Sequence, residues 1–364
     1  MSFSVGIVGL PNVGKSTLFK ALTKIKVDIA PYPFTTIHPN IGQVYVPDER
    51  LKKIAEIIKP EKVTPTIIEF VDIAGLVKGA HKGEGLGNQF LAQIRNCDAI
   101  LEVVRGFEDS NVENVLGEIN PEKEIEIIQV ELLMKDLETL ENLISKTELP
   151  SMEAKVKKRM KSSSPAEKEE KTKDKTAIKK LEFLKKIKDW ISQGKSISEF
   201  NLTEEEKNEI KEFQFLTQKP IFYILNTDNG KKILNSKFKY LAMNLKDEEG
   251  ISELGENEVK ELGFKSQLDQ LILACYNILD LITFYTVAGG KETRAWTLRR
   301  GLAAPDAGGV VHSDFKEKFI KAEVINWGKL AEAGNWKEAR DLGWLKLVGH
   351  EYIVQDGDVI EFKI

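Results

Sequence analysis

The sequence predicts an α/β protein with a helical hairpin inserted into it and a small, mostly β domain at its C-terminal end. Three observations predict this. Near-continuous apolar runs alternate with glycine-rich turns, a central stretch carries apolar residues at helical spacing, and the final segment holds short strands punctuated by Gly-Gly and Asp-Gly.

Val5 to Val8 is a short β-branched run, followed by Gly9-Leu10-Pro11-Asn12-Val13-Gly14-Lys15-Ser16-Thr17 and then by the helix-favouring Leu18 to Leu22. That order reads as strand, turn, helix. Ile67 to Val71, Ala99 to Val104 and Ile221 to Leu225 read as further strands, too apolar to alternate, as in a parallel sheet covered on both faces. From about Glu131, the residues Leu133, Leu137, Leu140 and Ile144 form one helical stripe, which Pro150 is expected to end. A polar stretch from Ser151 to Thr176 leads to a second stripe through Ile178, Leu181, Leu184, Ile187 and Ile191, so an antiparallel hairpin with a lysine-rich tip is expected. After Ile282 come the runs Thr283 to Val287, Ala295 to Leu298, Tyr352 to Val354 and Val359 to Ile364, with Gly289-Gly290, Gly308-Gly309 and Asp356-Gly357 between them. The expected units are residues 1–128 and 216–280 for the α/β domain, 129–215 for the helical insertion and 281–364 for the C-terminal domain.

At 364 residues with 41% hydrophobic content, the chain is too long for one ordinary core. Cys97 and Cys275 lie far apart, and His38, His81, His312 and His350 occur singly, so neither a disulfide scaffold nor a zinc site is expected. The longest apolar stretch, Leu271 to Phe284, is broken by Asn277 and Asp280 and falls short of the roughly 20 residues of a membrane span. With no basic region ahead of an apolar one at the N-terminus, a cytoplasmic protein with no membrane association is expected, acting as a monomer. The net charge of −4 is unevenly spread: residues 151–190 carry +7, residues 281–364 balance, and the rest carries −11. The basic segment reads either as a solvated helix face or as a reach toward a polyanion.

Gly9 to Ser16 satisfies G-x-x-x-x-G-K-[ST], between a strand and a helix as the chemistry requires. Gly9 and Gly14 let the backbone wrap a phosphate chain, N–H groups and the helix N-terminus face the anion, Lys15 reaches the β/γ-phosphates, and the Ser16 hydroxyl is a Mg²⁺ ligand. Asn12, Val13, Gly14, Lys15, Ser16 and Thr17 form the expected phosphate-binding set. Asp72 closes a strand and opens Asp72-Ile73-Ala74-Gly75, which predicts a carboxylate for the metal and a Gly75 N–H for the γ-phosphate. In Pro33-Phe34-Thr35-Thr36-Ile37 either threonine hydroxyl suits the metal shell. Leu76 stands where a glutamine would orient water, so water positioning must come from elsewhere; His81, Asn88 and Gln89, in a glycine-rich loop, are candidates. After the late strand, Asn226-Thr227-Asp228-Asn229 lacks the lysine and terminal aspartate of N-K-x-D, which argues against strict guanine selection.

These residues resemble the YchF or Obg-like ATPases, a translation-factor-related P-loop family. The phosphate loop, Pro33 to Asn40, Asp72 to Ala80 and Gly83 to Asn88 look like its signatures; Arg294-Ala295-Trp296-Thr297, His312-Ser313-Asp314-Phe315 and Asp356-Gly357-Asp358-Val359 look like its TGS domain, a ubiquitin-like β-grasp module. The resemblance covers essentially the whole chain. It implies an α/β P-loop domain with an inserted coiled-coil arm and a TGS domain, and Mg²⁺-dependent hydrolysis of ATP in preference to GTP. It also implies association with the ribosome, through its large subunit or as a whole, and with RNA. It favours Thr36 over Thr35 as metal ligand and sets adenine beside Asn226 and Thr227. Asn229 replaces the family's usual glutamate, and Asn114 stands where many members have a histidine. Asn12 stands where related G-x-P-N-V-G-K-S proteins use an asparagine on K⁺. Two other readings stand beside the ATPase: an Obg-like GTPase, and a ribosome- or RNA-binding module with incidental hydrolysis.

Overall fold

In the computed structural model, residues 3–24, 41–73, 86–158, 167–228, 234–235, 237–254, 256–288 and 291–364 are described. The N-terminal part runs β1 (Phe3–Val8), α1 (Lys15–Lys24), β2 (Ile41–Tyr45), α2 (Glu49–Ile58), β3 (Lys62–Thr64), β4 (Ile67–Asp72), α3 (Leu86–Asn96) and β5 (Ala99–Arg105). Two long helices follow, α4 (Pro121–Lys158) and α5 (Glu167–Ser192), then α6 (Glu204–Lys211), β6 (Ile221–Asn226), β7 (Tyr240–Met243), α7 (Leu245–Glu253), α8 (Glu256–Glu261) and α9 (Leu268–Ile278). The C-terminal part holds β8 (Leu281–Ala288), β9 (Glu292–Arg299), α10 (Ala304–Val311), α11 (Ser313–Glu317), β10 (Lys321–Asn326), α12 (Trp327–Ala333), α13 (Trp336–Asp341), β11 (Lys346–Val348) and β12 (Asp358–Lys363).

The first sheet has the order β2-β4-β1-β5-β6-β7 and is parallel except for β2, which runs against β4. All four strands expected from the apolar runs lie in it. β5 is buried along its whole length, as a central strand covered on both faces must be. Its core joins Val5, Ile7, Phe70, Ile100 and Leu101 to Leu18 and Leu22 of α1, Ile94 of α3 and Leu271 of α9. Each such side chain contributes about 1.5–3 kcal/mol on leaving water.

α4 serves two cores. Ile128 and Leu132 pack into the first sheet's core, whereas Leu133, Leu140 and Ile144 pack on Leu184, Ile187 and Ile191 of α5. The two stripes therefore meet, and Lys188 pairs with Glu141 at 2.9 Å. Ile178, expected in the second stripe, is instead exposed. Two boundaries also differ from expectation. α4 starts at Pro121, where Asn120 accepts from the Lys123 N–H at 3.2 Å and proline takes the position whose own N–H has no helical partner. It then continues through Pro150 to Lys158. The core contacts of α4 named above all precede Pro150, where the proline removes one helical hydrogen bond at a cost of about 3 kcal/mol.

The second sheet has the order β11-β10-β12-β8-β9-β3. Its outermost strand comes from the N-terminal part: β3 pairs parallel with β9, Lys62 opposite Glu292 and Thr64 opposite Arg294. α2 follows the same path, burying Leu51 and Ile54 against Tyr285, Ala295 and Val359. Arg50 spans the junction, bonding Asp48 at 2.9 Å and Asp356 at 2.8 Å. Tyr352 to Val354, expected as a strand, makes only an isolated bridge from Ile353 to Ala303. The strands β10 and β11 and helices α10 to α13 fill residues 304–348, so this part is less purely β than expected. No helix among the described residues is long and apolar enough to cross a membrane.

Candidate nucleotide site

β1 delivers the chain into a turn that only particular residues can follow. Gly9 has φ +154°, and a Cβ there would lie 2.4 Å from the Val103 carbonyl oxygen of β5. Gly14 has φ +109°, and its Cβ would strike the Asn226 amide nitrogen at 2.6 Å. Asn12 sits at φ 64°, a left-handed conformation that asparagine tolerates better than most residues. It donates from Nδ2 to the Glu113 carbonyl at 3.4 Å.

α1 begins at Lys15, whose side chain folds back across the loop and donates to the Leu10 carbonyl at 2.8 Å. Burial lowers its pKa, against the pull of Asp72 and Glu124. The Ser16 hydroxyl donates to an Asp72 carboxylate oxygen at 3.4 Å, because the register of β1 and β4 sets Asp72 opposite Ile7 at the same edge of the sheet. Burial raises the Asp72 pKa, opposed by Lys15 and the Ser16 hydroxyl. Hydroxyl and carboxylate oxygens are the hard donors that Mg²⁺ takes. Among the described residues no group of three or more His, Cys, Asp or Glu side chains could hold a metal. This pair therefore suits an ion that draws its remaining ligands from phosphate and water.

These groups open into a cavity of about 650 Å³ lined on one side by Asn12, Gly14, Lys15, Ser16 and Thr17. A second wall is Phe107, Glu108, Asp109 and Val112; a third is Asn226, Asp228, Asn244, Lys246 and Glu249. The volume lies within the range of small-molecule sites. Val13 is buried, so its contribution is its backbone. Asn226, at the end of β6, uses its amide as a clasp, donating to the Val13 carbonyl at 2.9 Å and accepting from the Leu245 N–H at 3.2 Å. Thr227 is buried and is not among the lining residues.

Sequence reasoning missed the second wall and most of the third. Asn244 carried a local signal, since it caps α7 by accepting from the N–H groups of Lys246 and Asp247. Behind the loop lie two buried acids. Burial pushes Glu124 up to about 7, against the Arg105 N–H and the charges of Arg105 and Lys15. Glu102 is fully buried, and among the described residues neither of its carboxyl oxygens has a hydrogen-bond partner. Asn114 stabilises its own turn, donating to the Glu118 carbonyl at 2.8 Å. Thr35, Thr36, Gly75, Leu76, His81 and Asn229 lie outside the described residues, as do the side chains of Asn88, Gln89 and the arm-tip lysines.

Residues 4–136 match the family described as "50S ribosome-binding GTPase", and residues 281–364 match "YchF-GTPase_C", described as a protein of unknown function. The "Ribosome-binding ATPase YchF" of Bacillus subtilis is 43% identical over 383 residues, covering 100% of this chain and 99% of the relative. The protein of the same name in Escherichia coli O157:H7 is 41% identical over 380 residues with the same coverage. Among solved structures, the YchF GTPase of Schizosaccharomyces pombe superposes with a TM-score of 0.83 at 32% identity, covering 100% of this chain and 98% of that one. With likeness of this extent from end to end, the chain belongs to the YchF family.

Proposed function

We propose that the protein is a ribosome-binding P-loop ATPase, a nucleotide-controlled switch that hydrolyses ATP in preference to GTP with Mg²⁺. The observation that carries the reading is a glycine-cornered loop whose Lys15 and Ser16 line the 650 Å³ cavity, with the Ser16 hydroxyl meeting the Asp72 carboxylate and Lys15 within its electrostatic reach. The backbone of Asn12 to Gly14 and the start of α1 hold the phosphate chain, with Lys15 on the β/γ-phosphates and Thr17 beside them. Ser16, Thr36 and Asp72 hold Mg²⁺, which when bound offsets charge on the transferred phosphoryl group. Gly75 supplies an N–H to the γ-phosphate. Asn226 and Thr227 stand on the base side. Asn12 offers its amide oxygen to K⁺, a cation able to replace a missing positive group in the transition state.

In the same reading residues 1–128 and 216–280 form the nucleotide-binding domain, 129–215 a coiled-coil arm and 281–364 a β-grasp TGS domain. The arm and the TGS domain contact ribosomal RNA, and the protein works in the cytoplasm as a monomer. Full-length identity to proteins named ribosome-binding ATPases supports the ribosome and the ATPase activity. The absence of lysine at Thr227 supports adenine over guanine.

One observation favours a GTPase: Asp228 lines the cavity and brings a carboxylate able to accept from guanine. Titration with ATP, GTP and their diphosphates, with and without Mg²⁺, decides between them. Tighter ATP than GTP binding, strengthened by Mg²⁺, is the expected result. The reverse order would make the protein a GTPase, and no binding of either would remove the nucleotide site.

A further inference from the structure

β5 ends in a cation that the apolar run before it does not explain. Arg105 is 3% exposed, and a buried guanidinium must find acceptors for its donors. It takes them from the backbone of the loop that follows. Nε donates to the Phe107 carbonyl at 3.3 Å, Nη2 to Asp109 at 3.1 Å, and Nη1 to Val112 at 3.0 Å and Glu113 at 3.2 Å. The guanidinium also lies 4.5 Å from the centroid of the Phe107 ring. Its own backbone N–H is fixed by the Glu124 carboxylate at 2.9 Å, from the first turn of α4.

The loop so gathered contains no helix or strand, and it forms the second wall of the cavity. The Glu113 carbonyl bonded by Arg105 is also the one that accepts from Asn12 of the phosphate loop. One side chain therefore gathers this wall and joins it to the phosphate loop. The Gly106 N–H donates to the Asn226 carbonyl at 2.8 Å and ties the start of the loop to β6; beyond it, among the described residues, the other bonds of residues 107–113 are local turns, such as the Val112 N–H to the Asp109 carbonyl at 3.2 Å, which set the wall's shape without fixing its place.

We infer that Arg105 is a positioning residue for nucleotide binding, which holds the wall formed by residues 107–113 in its binding geometry without touching the nucleotide. The inference rests on the reading of the cavity as the nucleotide site. Lysine cannot substitute, because a single ammonium cannot spread its donors over carbonyls that the planar fork reaches together.

The experiment compares wild type, Arg105→Lys and Lys15→Ala in binding of ATP and ADP and in steady-state hydrolysis. Arg105→Lys should weaken ATP and ADP binding and raise KM by at least about tenfold, the scale of one missing charged hydrogen bond, with kcat at saturation within about twofold of wild type. A variant that binds like wild type overturns the inference, as does a loss in kcat alone. If wild type binds nucleotide and Lys15→Ala does not, the site reading stands whatever Arg105→Lys does. If wild type binds none, the site reading itself has failed. Should Arg105→Lys not fold, hydrogen exchange on wild type decides. Added ATP must slow the amides of residues 107–113, and slowing confined to residues 9–16 overturns the inference.

Discussion

The side-chain amide of Asn226 donates to the Val13 carbonyl at 2.9 Å, joining positions 213 residues apart. The same side chain accepts from the Leu245 N–H, so the end of β6, the phosphate loop and the start of α7 close around one buried amide. Asn226, which the proposed function sets on the base side, is thus also a brace for the loop of residues 9–16. Asn226→Ala is expected to destabilise the fold by about 1–3 kcal/mol, the scale of leaving buried polar groups unsatisfied. It should weaken ATP and GTP binding in equal proportion. A changed ATP/GTP ratio in competition assays would make Asn226 a reader of the base instead.

On the proposed function Lys15 is the cation at the β/γ-phosphates, so Lys15→Ala should largely abolish triphosphate binding or turnover. Retained wild-type hydrolysis would refute the site. Ser16→Ala loses only the hydroxyl that meets Asp72, so it should shift the Mg²⁺ concentration needed for half-maximal turnover upward and leave Mg²⁺-free binding nearly unchanged.

Glu102 gives stability a pH dependence. Burial, reinforced by the nearby Glu124, holds its carboxyl well above the usual 4.5. The folded chain therefore keeps a proton that the unfolded chain loses near its ordinary value. Stability is full below that value and falls as pH rises above it, by up to about 1.4 kcal/mol per pH unit for one proton. Glu102→Gln should flatten this slope between mildly acidic and neutral pH in urea denaturation. An unchanged slope would assign the proton to Glu124, which titrates at about 7.

The arm's charge makes a separate prediction. Residues 151–190 carry +7 and the body outside the C-terminal part −11, so the arm is the part that RNA phosphates attract. Replacing Lys155, Lys157, Lys158, Arg159 and Lys161 by glutamine should flatten the salt dependence of ribosome co-sedimentation, by roughly 0.7–0.9 in logarithmic slope for each phosphate no longer neutralised. ATP turnover should not change. Superimposable salt curves would take the arm out of the interface.

What the sequence determined by itself is local chemistry. The order β-branched run, Gly9 to Ser16, helix is legible because left-handed φ at Gly9 and Gly14 and a helix N-terminus at Lys15 depend on few neighbouring residues. The central strands are legible because burial on both faces demands apolar side chains at nearly every position. Asp72 could be named because it ends such a strand. Tertiary structure decided the rest. β3, Lys62–Thr64, has no apolar pattern of its own and is a strand only because β9 offers it an edge. Tyr352 to Val354 has the pattern and no ladder to join. Pro150 fails to end α4, which runs on to Lys158 past the one hydrogen bond that the proline removes. Arg105 and Asn226 look like ordinary strand ends, and their work lies in carbonyls and amides that only the folded chain brings within 3.3 Å. Such backbone groups are the same in every residue, so a sequence carries no mark of which of them will meet.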